Sequence, residues 1–270
     1  MNKNSEAPIG IFDSGIGGLT VLKEMIETLP DENTIYLGDT ARVPYGTRSK
    51  DTIRRYAFEC ADFLMSCGIK LMVVACNTVS SVCLEDLKKH YSIPVIGVVD
   101  PGARAAVRES RTGNVVIIGT RATIESNAYL LAIKRYDSSI SVEGIACALF
   151  VPLIEEGWAD DAITTEVVCR YLSPIRGTNT DTVVLGCTHY PILKGAIHEA
   201  VGSRIRLVDS AVETASEVRE SLDRDLAPKR QGKAGYCKFH VTDDPVRFAC
   251  EGEKFLKHKI HDITKIELGG

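Results

Sequence analysis

The chain has 270 residues, of which 44% are hydrophobic and 25% charged, and its net charge is −4. This length and composition suit one large or two medium globular domains, and the charge excludes a basic nucleic-acid or anionic-membrane surface. No apolar run reaches the roughly 18 residues that span a bilayer, and the opening MNKNSEAP lacks a signal-peptide stretch, so the expected location is cytoplasmic.

In chain order, a first strand over Ile9–Phe12 runs into the turn Asp13-Ser14-Gly15-Ile16-Gly17-Gly18. A helix follows, marked by Leu19, Leu22, Ile26 and Leu29 at helical spacing. The strand Thr34–Leu37 leads to Asp39-Thr40 and the loop Val43-Pro44-Tyr45-Gly46-Thr47, and a second helix carries Ile53, Ala57, Cys60, Leu64 and Cys67. Further strands are expected at Leu71–Ala75, Val95–Val99, Val115–Ile118, Val142–Cys147, Thr182–Leu185 and Ile205–Val208. Apolar strands alternating with amphipathic helices predict parallel sheets covered on both faces, an α/β class. Short basic groups such as Lys229-Arg230 read as solvated surface.

The order also repeats. Val73-Val74-Ala75-Cys76-Asn77-Thr78 is echoed by Val184-Leu185-Gly186-Cys187-Thr188-His189, and each is followed by a helix, a strand and an aspartate, Asp100 or Asp209. Ile9-Gly10-Ile11-Phe12-Asp13-Ser14 has a weaker counterpart in Val115-Val116-Ile117-Ile118-Gly119-Thr120. The expected architecture is two similar domains of mostly parallel sheets flanked by helices, pseudo-twofold related, with the active site between them. Residues 1–98 with 210–270 would form the first domain, carrying Cys76, and residues 99–209 the second, carrying Cys187.

In open parallel sheets ligands bind beyond the carboxyl ends of the strands. Four such ends carry reactive or hydrogen-bonding groups: Asp13-Ser14, Asp39-Thr40, Cys76-Asn77-Thr78 and Cys187-Thr188-His189. One or two could be helix caps; four together point to a site. The glycine-rich turn after Asp13 exposes backbone N–H groups at a helix start and suits an anion. It lacks the Walker lysine and the strict dinucleotide order, so a phosphate and a substrate carboxylate both remain open. The Val43–Thr47 loop is by itself a turn, with Tyr45 placed to wall a pocket.

The chain has nine cysteines and no Cys-x-x-Cys or His-Glu-x-x-His spacing, which leaves no metal cage and no framework of disulfides. A free thiol is mostly protonated at neutral pH, so a thiol base needs local help from a helix start, an imidazole or a relaying carboxylate. His189, two residues from Cys187, and Asp13, near Cys76, fit those roles. Cys60, Cys67, Cys83, Cys147, Cys169, Cys237 and Cys250 read as core or surface filler. Inverting a stereocentre needs a base on one face and an acid on the other, so a duplicated cysteine favours proton shuttling over single-nucleophile chemistry.

FDSGIGG, GDTARVPYG, ACNT, PVIGVVDP and GCTHYP stand in this order along the chain. In these motifs it resembles the bacterial glutamate racemases of the aspartate/glutamate racemase family, from Ile9 to about Ser210. The resemblance implies interconversion of L- and D-glutamate with no cofactor and no metal, supplying D-glutamate for peptidoglycan. It implies Cys76 and Cys187 as the paired bases, with Cys187 acting on L-glutamate and Cys76 on D-glutamate. Asp13 and His189 would assist, Asp39 and Glu155 match auxiliary acidic positions, and substrate contacts would come from Asp13, Ser14, Tyr45, Gly46, Asn77, Thr78, Thr188 and His189. The partner is then a small molecule, neither nucleic acid nor membrane, with a homodimer left open. Members with long N-terminal extensions are regulated by a wall precursor; about eight residues precede the first strand here, so that regulation is not expected. A related racemase or decarboxylase acting on aspartate, a hydantoin or a malonate, and a ligand-binding module using the same cleft, are the alternatives.

Overall fold

The computed structural model of the chain describes residues 5–226 and 234–269. Lys229-Arg230 and the first four residues lie outside the described residues. The strands are β1 (Ile9–Asp13), β2 (Thr34–Gly38), β3 (Leu71–Val74), β4 (Val95–Gly97) and β5 (Asn114–Gly119), then β6 (Ser141–Ala146), β7 (Thr182–Gly186), β8 (Arg206–Val208), β9 (Cys237–Val241) and β10 (Ile263–Lys265). The first helices are α1 (Leu19–Thr28), α2 (Lys50–Ser66), α3 (Asn77–His90), α4 (Val99–Glu109), α5 (Arg121–Glu125) and α6 (Ala128–Tyr136). The others are α7 (Phe150–Glu155), α8 (Ala162–Leu172), α9 (Lys194–Val201), α10 (Ser210–Asp225) and α11 (Pro245–Leu256).

The strands form two sheets, ordered β10-β9-β2-β1-β3-β4 and β6-β5-β7-β8. Every pairing among them is parallel. The run β2-β1-β3-β4 has the same order as β6-β5-β7-β8, so the echoed sequence blocks occupy equivalent strands. The segment after Asp209 returns to the first sheet, where β9 pairs with β2.

Alternation along the strands sorts the core. Ile9, Ile11, Leu71 and Val73 point to one face of the first sheet, under α1, α10 and α11, while Phe12, Met72 and Val74 point to the other, under α2 and α3. In the second sheet Val116, Ile118, Val183 and Leu185 join the first of these clusters, and Val115, Ile117 and Val184 pack under α4 and α6. Each such side chain taken out of water contributes about 1.5–3 kcal/mol. The α2 stripe Ile53, Ala57, Cys60, Ala61 and Leu64 is buried, and the helix starts where the Ser49 hydroxyl accepts the Thr52 N–H at 3.3 Å.

Some boundaries differ from the sequence reading. The expected strand Val95–Val99 stops at Gly97, because Val99 already begins α4. Leu29 caps α1 rather than extending it. Asp100 and Asp209, which close the repeated units, hold structure: Asp100 accepts from Arg135 and Tyr136, and Asp209 caps α10 through the Ala211 N–H. The chain leaves the first sheet after β4 and returns after β8, and the helices that follow these two crossings lie together. A Cβ added to Gly102 of α4 would stand 3.1 Å from the Ser210 Cβ at the start of α10.

Candidate active site

Ser14, Tyr45, Gly46, Cys76, Asn77, Thr78, Cys187, Thr188 and His189 line one cavity between the carboxyl ends of the two sheets. Its free space is about 20 Å³, room for a single water. Asp13 does not line it. It lies fully buried behind the wall, where its carboxylate accepts the Gly15 N–H at 3.0 Å and the Thr188 hydroxyl at 3.4 Å. Asp13 therefore ties the β1–α1 turn to the second sheet's cysteine loop.

Cys76 caps the start of α3, so the helix's free N–H groups face the cavity. Its sulfur is 3.7 Å from the Ser14 hydroxyl. Burial and the nearby Asp13 carboxylate push the thiol up to about 12, against the lowering influence of the Val79 N–H and the Ser14 hydroxyl. Burial raises Asp13 as well, opposed by the His189 cation and by N–H groups of Gly18, Gly15 and Ser14. Both groups thus hold protons more tightly than usual, which suits Cys76 to the role of acid.

Cys187 has different company. Its sulfur is 3.9 Å from Nδ1 of His189, whose Nε2 is 3.1 Å from the Glu155 carboxylate. Burial disfavours charge on His189, but Cys187 and Glu155 outweigh it and lift the imidazole to about 10. The ring can therefore exchange a proton with the Cys187 sulfur while Glu155 holds its far side.

Close approach across the cleft depends on two glycines. A Cβ at Gly17 would fall 2.4 Å from the Thr188 hydroxyl oxygen and 2.5 Å from Nδ1 of His189. A Cβ at Gly46 would fall 2.5 Å from the Thr120 Cβ. At both places only a missing side chain lets the sheets' loops meet.

Asp39 is buried beyond the thiols and braces the loop of Tyr45. It accepts from the Tyr45 phenol, from Arg42 at 2.6 Å and from the Thr242 hydroxyl at 2.9 Å. Arg42 also pairs with Glu59 and lies over the Tyr56 ring at 4.1 Å. Cys60 sits beneath this group, 3.9 Å from the Tyr45 phenol, and burial holds it as a thiol. Cys83 and Cys147 are buried too, Cys67, Cys169 and Cys237 are half-buried, and Cys250 is exposed.

Thr120, Val43, Pro44 and Val151 also line the cavity and were not named as site residues from the sequence. Thr120 was detectable only as the counterpart of Ser14 in the repeat. Its hydroxyl caps α5 and lies 3.0 Å from that of Thr78, bridging the two sides. Among the described residues, no three His, Cys, Asp or Glu side chains are grouped to hold a metal ion. No helix among them is long and apolar enough to cross a membrane.

The Asp/Glu/Hydantoin racemase family model matches residues 9–218. The chain belongs to the Asp/Glu/Hydantoin racemase family. It is an isomerase, a racemase. It is 51% identical over 260 residues to the glutamate racemase of Geobacter metallireducens, covering 96% of each chain. Among solved structures it is similar to glutamate racemase isoform RacE1 of Bacillus anthracis, with TM-score 0.94 and 36% identity, covering 98% of each chain. It is also similar to the glutamate racemase of Francisella tularensis solved with D-glutamate, with TM-score 0.91 and 37% identity over 97% of this chain and 98% of that one. Two solved glutamate racemases thus share this fold over nearly the whole chain.

Proposed function

We propose that the chain is a cofactor-independent glutamate racemase, moving the α-proton between Cys76 and Cys187 and supplying D-glutamate for peptidoglycan synthesis in the cytoplasm. The observation that carries this reading is the placement of two cysteines at equivalent strand ends, after β3 and β7, on one cavity. The D-glutamate held by the Francisella relative supports the choice of substrate. Residues 1–98 with 210–270, and residues 99–209, are the two domains of this reading.

From L-glutamate, the Cys187 thiolate takes the α-proton and the Cys76 thiol delivers its own to the opposite face. The enzyme is left with a Cys187 thiol and a Cys76 thiolate, which are the starting partners for D-glutamate. His189 serves proton exchange at Cys187, and Asp13 buttresses the Cys76 side. Tyr45 and Gly46 wall the substrate.

The α-hydrogen of an amino acid is weakly acidic, and turnover near 10 s⁻¹ allows a barrier of about 16 kcal/mol. Donors aimed at the α-carboxylate stabilise the charge that develops there: Asn77, Thr78, Thr188 and the free N–H groups of α3. A space sized for one water does not admit glutamate, so the domains part for entry and close for chemistry. Equal reactivity of both thiols with and without D-glutamate would count against that closure.

The test is incubation with L-glutamate in D₂O without added cofactor, following optical rotation and loss of the α-proton signal. Both should change together. If neither changes, the racemase reading fails; if aspartate exchanges much faster, the substrate assignment fails.

A further inference from the structure

We infer that Tyr129 is a positioning residue of this site: from α6 it fixes the Asn77 side-chain amide so that the amide's N–H₂ end is left for the substrate carboxylate. The inference rests on the glutamate-racemase reading and adds to it a residue outside the cavity lining.

Tyr129 is 2% exposed, and its phenol donates to Oδ1 of Asn77 at 2.6 Å, across from the second sheet's helices to the first. The same phenol lies beside the hydroxyl of Ser210, at the start of α10. The bond joins α6 on the second sheet's side to α3 on the first's. The ring is fixed between backbones: a Cβ at Gly102 would stand 3.2 Å from its Cε1, and one at Gly186 3.4 Å from its Cε2.

An asparagine amide has an accepting end and a donating end. Tyr129 occupies the accepting end, so the two N–H donors remain for whatever the cavity holds. A carboxylate only accepts, and a reversed amide would set oxygen against oxygen. Burial drives the phenol's ionisation far above neutrality, so it stays a donor across working pH. Asn77 and Cys76 are adjacent at the helix start, so an error in the amide displaces the carboxylate beside one of the two thiols.

Tyr129→Phe removes the hydroxyl and keeps the ring. It should raise KM for glutamate about tenfold, the effect of one hydrogen bond to a charged group, with a smaller change in kcat and an unchanged melting profile. The decisive measurement is a double-mutant cycle with Asn77→Ala. In that background Tyr129→Phe should change kcat/KM by less than about twofold, because its effect passes through the amide. An unchanged KM, or the same loss with and without Asn77, overturns the inference. Should Tyr129→Phe fail to fold, Asn77→Asp tests the same contact. It keeps an acceptor for the phenol and removes the N–H donors, so KM for glutamate must rise at least about tenfold, and an unchanged KM overturns the inference. Calorimetric titration with D-glutamate reports the same difference in binding. An unmodified chain that binds D-glutamate but exchanges no proton defeats the racemase reading and leaves this comparison intact.

Discussion

The Cys187 sulfur stands 3.9 Å from Nδ1 of His189. Its topological equivalent, Cys76, meets the Ser14 hydroxyl and the field of Asp13 instead. The two thiols are matched in position and unmatched in surroundings, so each half-reaction relies on different help.

Removing either thiol should lower racemisation steeply without unfolding the chain. Cys76→Ala and Cys187→Ala are each expected to lose about 10²–10⁴-fold in turnover, the usual worth of a positioned acid or base. Circular dichroism of the glutamate measures that loss. The variants should differ in one-sided exchange: Cys187→Ala keeps α-proton washout from D-glutamate, and Cys76→Ala keeps it from L-glutamate. Turnover within about tenfold of the unmodified chain in either variant would rule out the two-base assignment.

The Glu155–His189 contact should stabilise the fold in a pH-dependent way. His189 is raised from 6.5 to about 10 in the folded chain. Its contribution is fully present below the unfolded value and is lost as pH rises through the folded one. Glu155→Gln should therefore cost about 1.5–3 kcal/mol near pH 6.5 and much less above pH 10. Denaturant titrations of both proteins at the two pH values give the comparison. A gap that widens with pH would show that the imidazole is not the charged partner.

Gly17→Ala places a methyl group within 2.5 Å of Nδ1 of His189. The least costly relief is to separate the two loops. A displacement near 1 Å can lower kcat/KM about 10²-fold, with little loss of stability. Activity measured beside a thermal melt tests this, and unimpaired turnover would show that the cleft absorbs the methyl group.

Arg42→Ala leaves the fully buried Asp39 carboxylate without its cation. Breaking such a pair costs about 3–5 kcal/mol, well above the worth of a surface ion pair. For a chain of this size the melting temperature should fall by several degrees. Arg42→Ala combined with Asp39→Asn should recover part of the loss, and a double variant less stable than Arg42→Ala would contradict that account.

The central strands were legible because Ile9–Asp13, Leu71–Val74 and Thr182–Gly186 are buried along their whole length, and a continuous apolar run records that. The signal fades where burial is partial. Lys238 and His240 interrupt β9, and β10 is mostly exposed, so neither strand declared itself. Polar groups at strand ends revealed Cys76, Cys187 and their neighbours as candidates for one site. Spacing carries no information on what touches across the cleft. Thr120 becomes visible only once Gly46 is seen against it, and Tyr129 reaches Asn77 over 52 positions of chain. Asp39 reads as one more acidic strand end, and only packing shows that it braces Tyr45.

The two crossings between sheets, after β4 and after β8, run side by side, with Gly102 against Ser210. A body fastened to another at two neighbouring points keeps one easy rotation, about the line joining them, and resists sliding and twisting. The thiols line one cavity, each following a strand of a different sheet. The Thr78–Thr120 and Tyr129–Asn77 hydrogen bonds tie the same two bodies together beside them, so the spacing of the thiols is set by these bonds and the two crossings jointly.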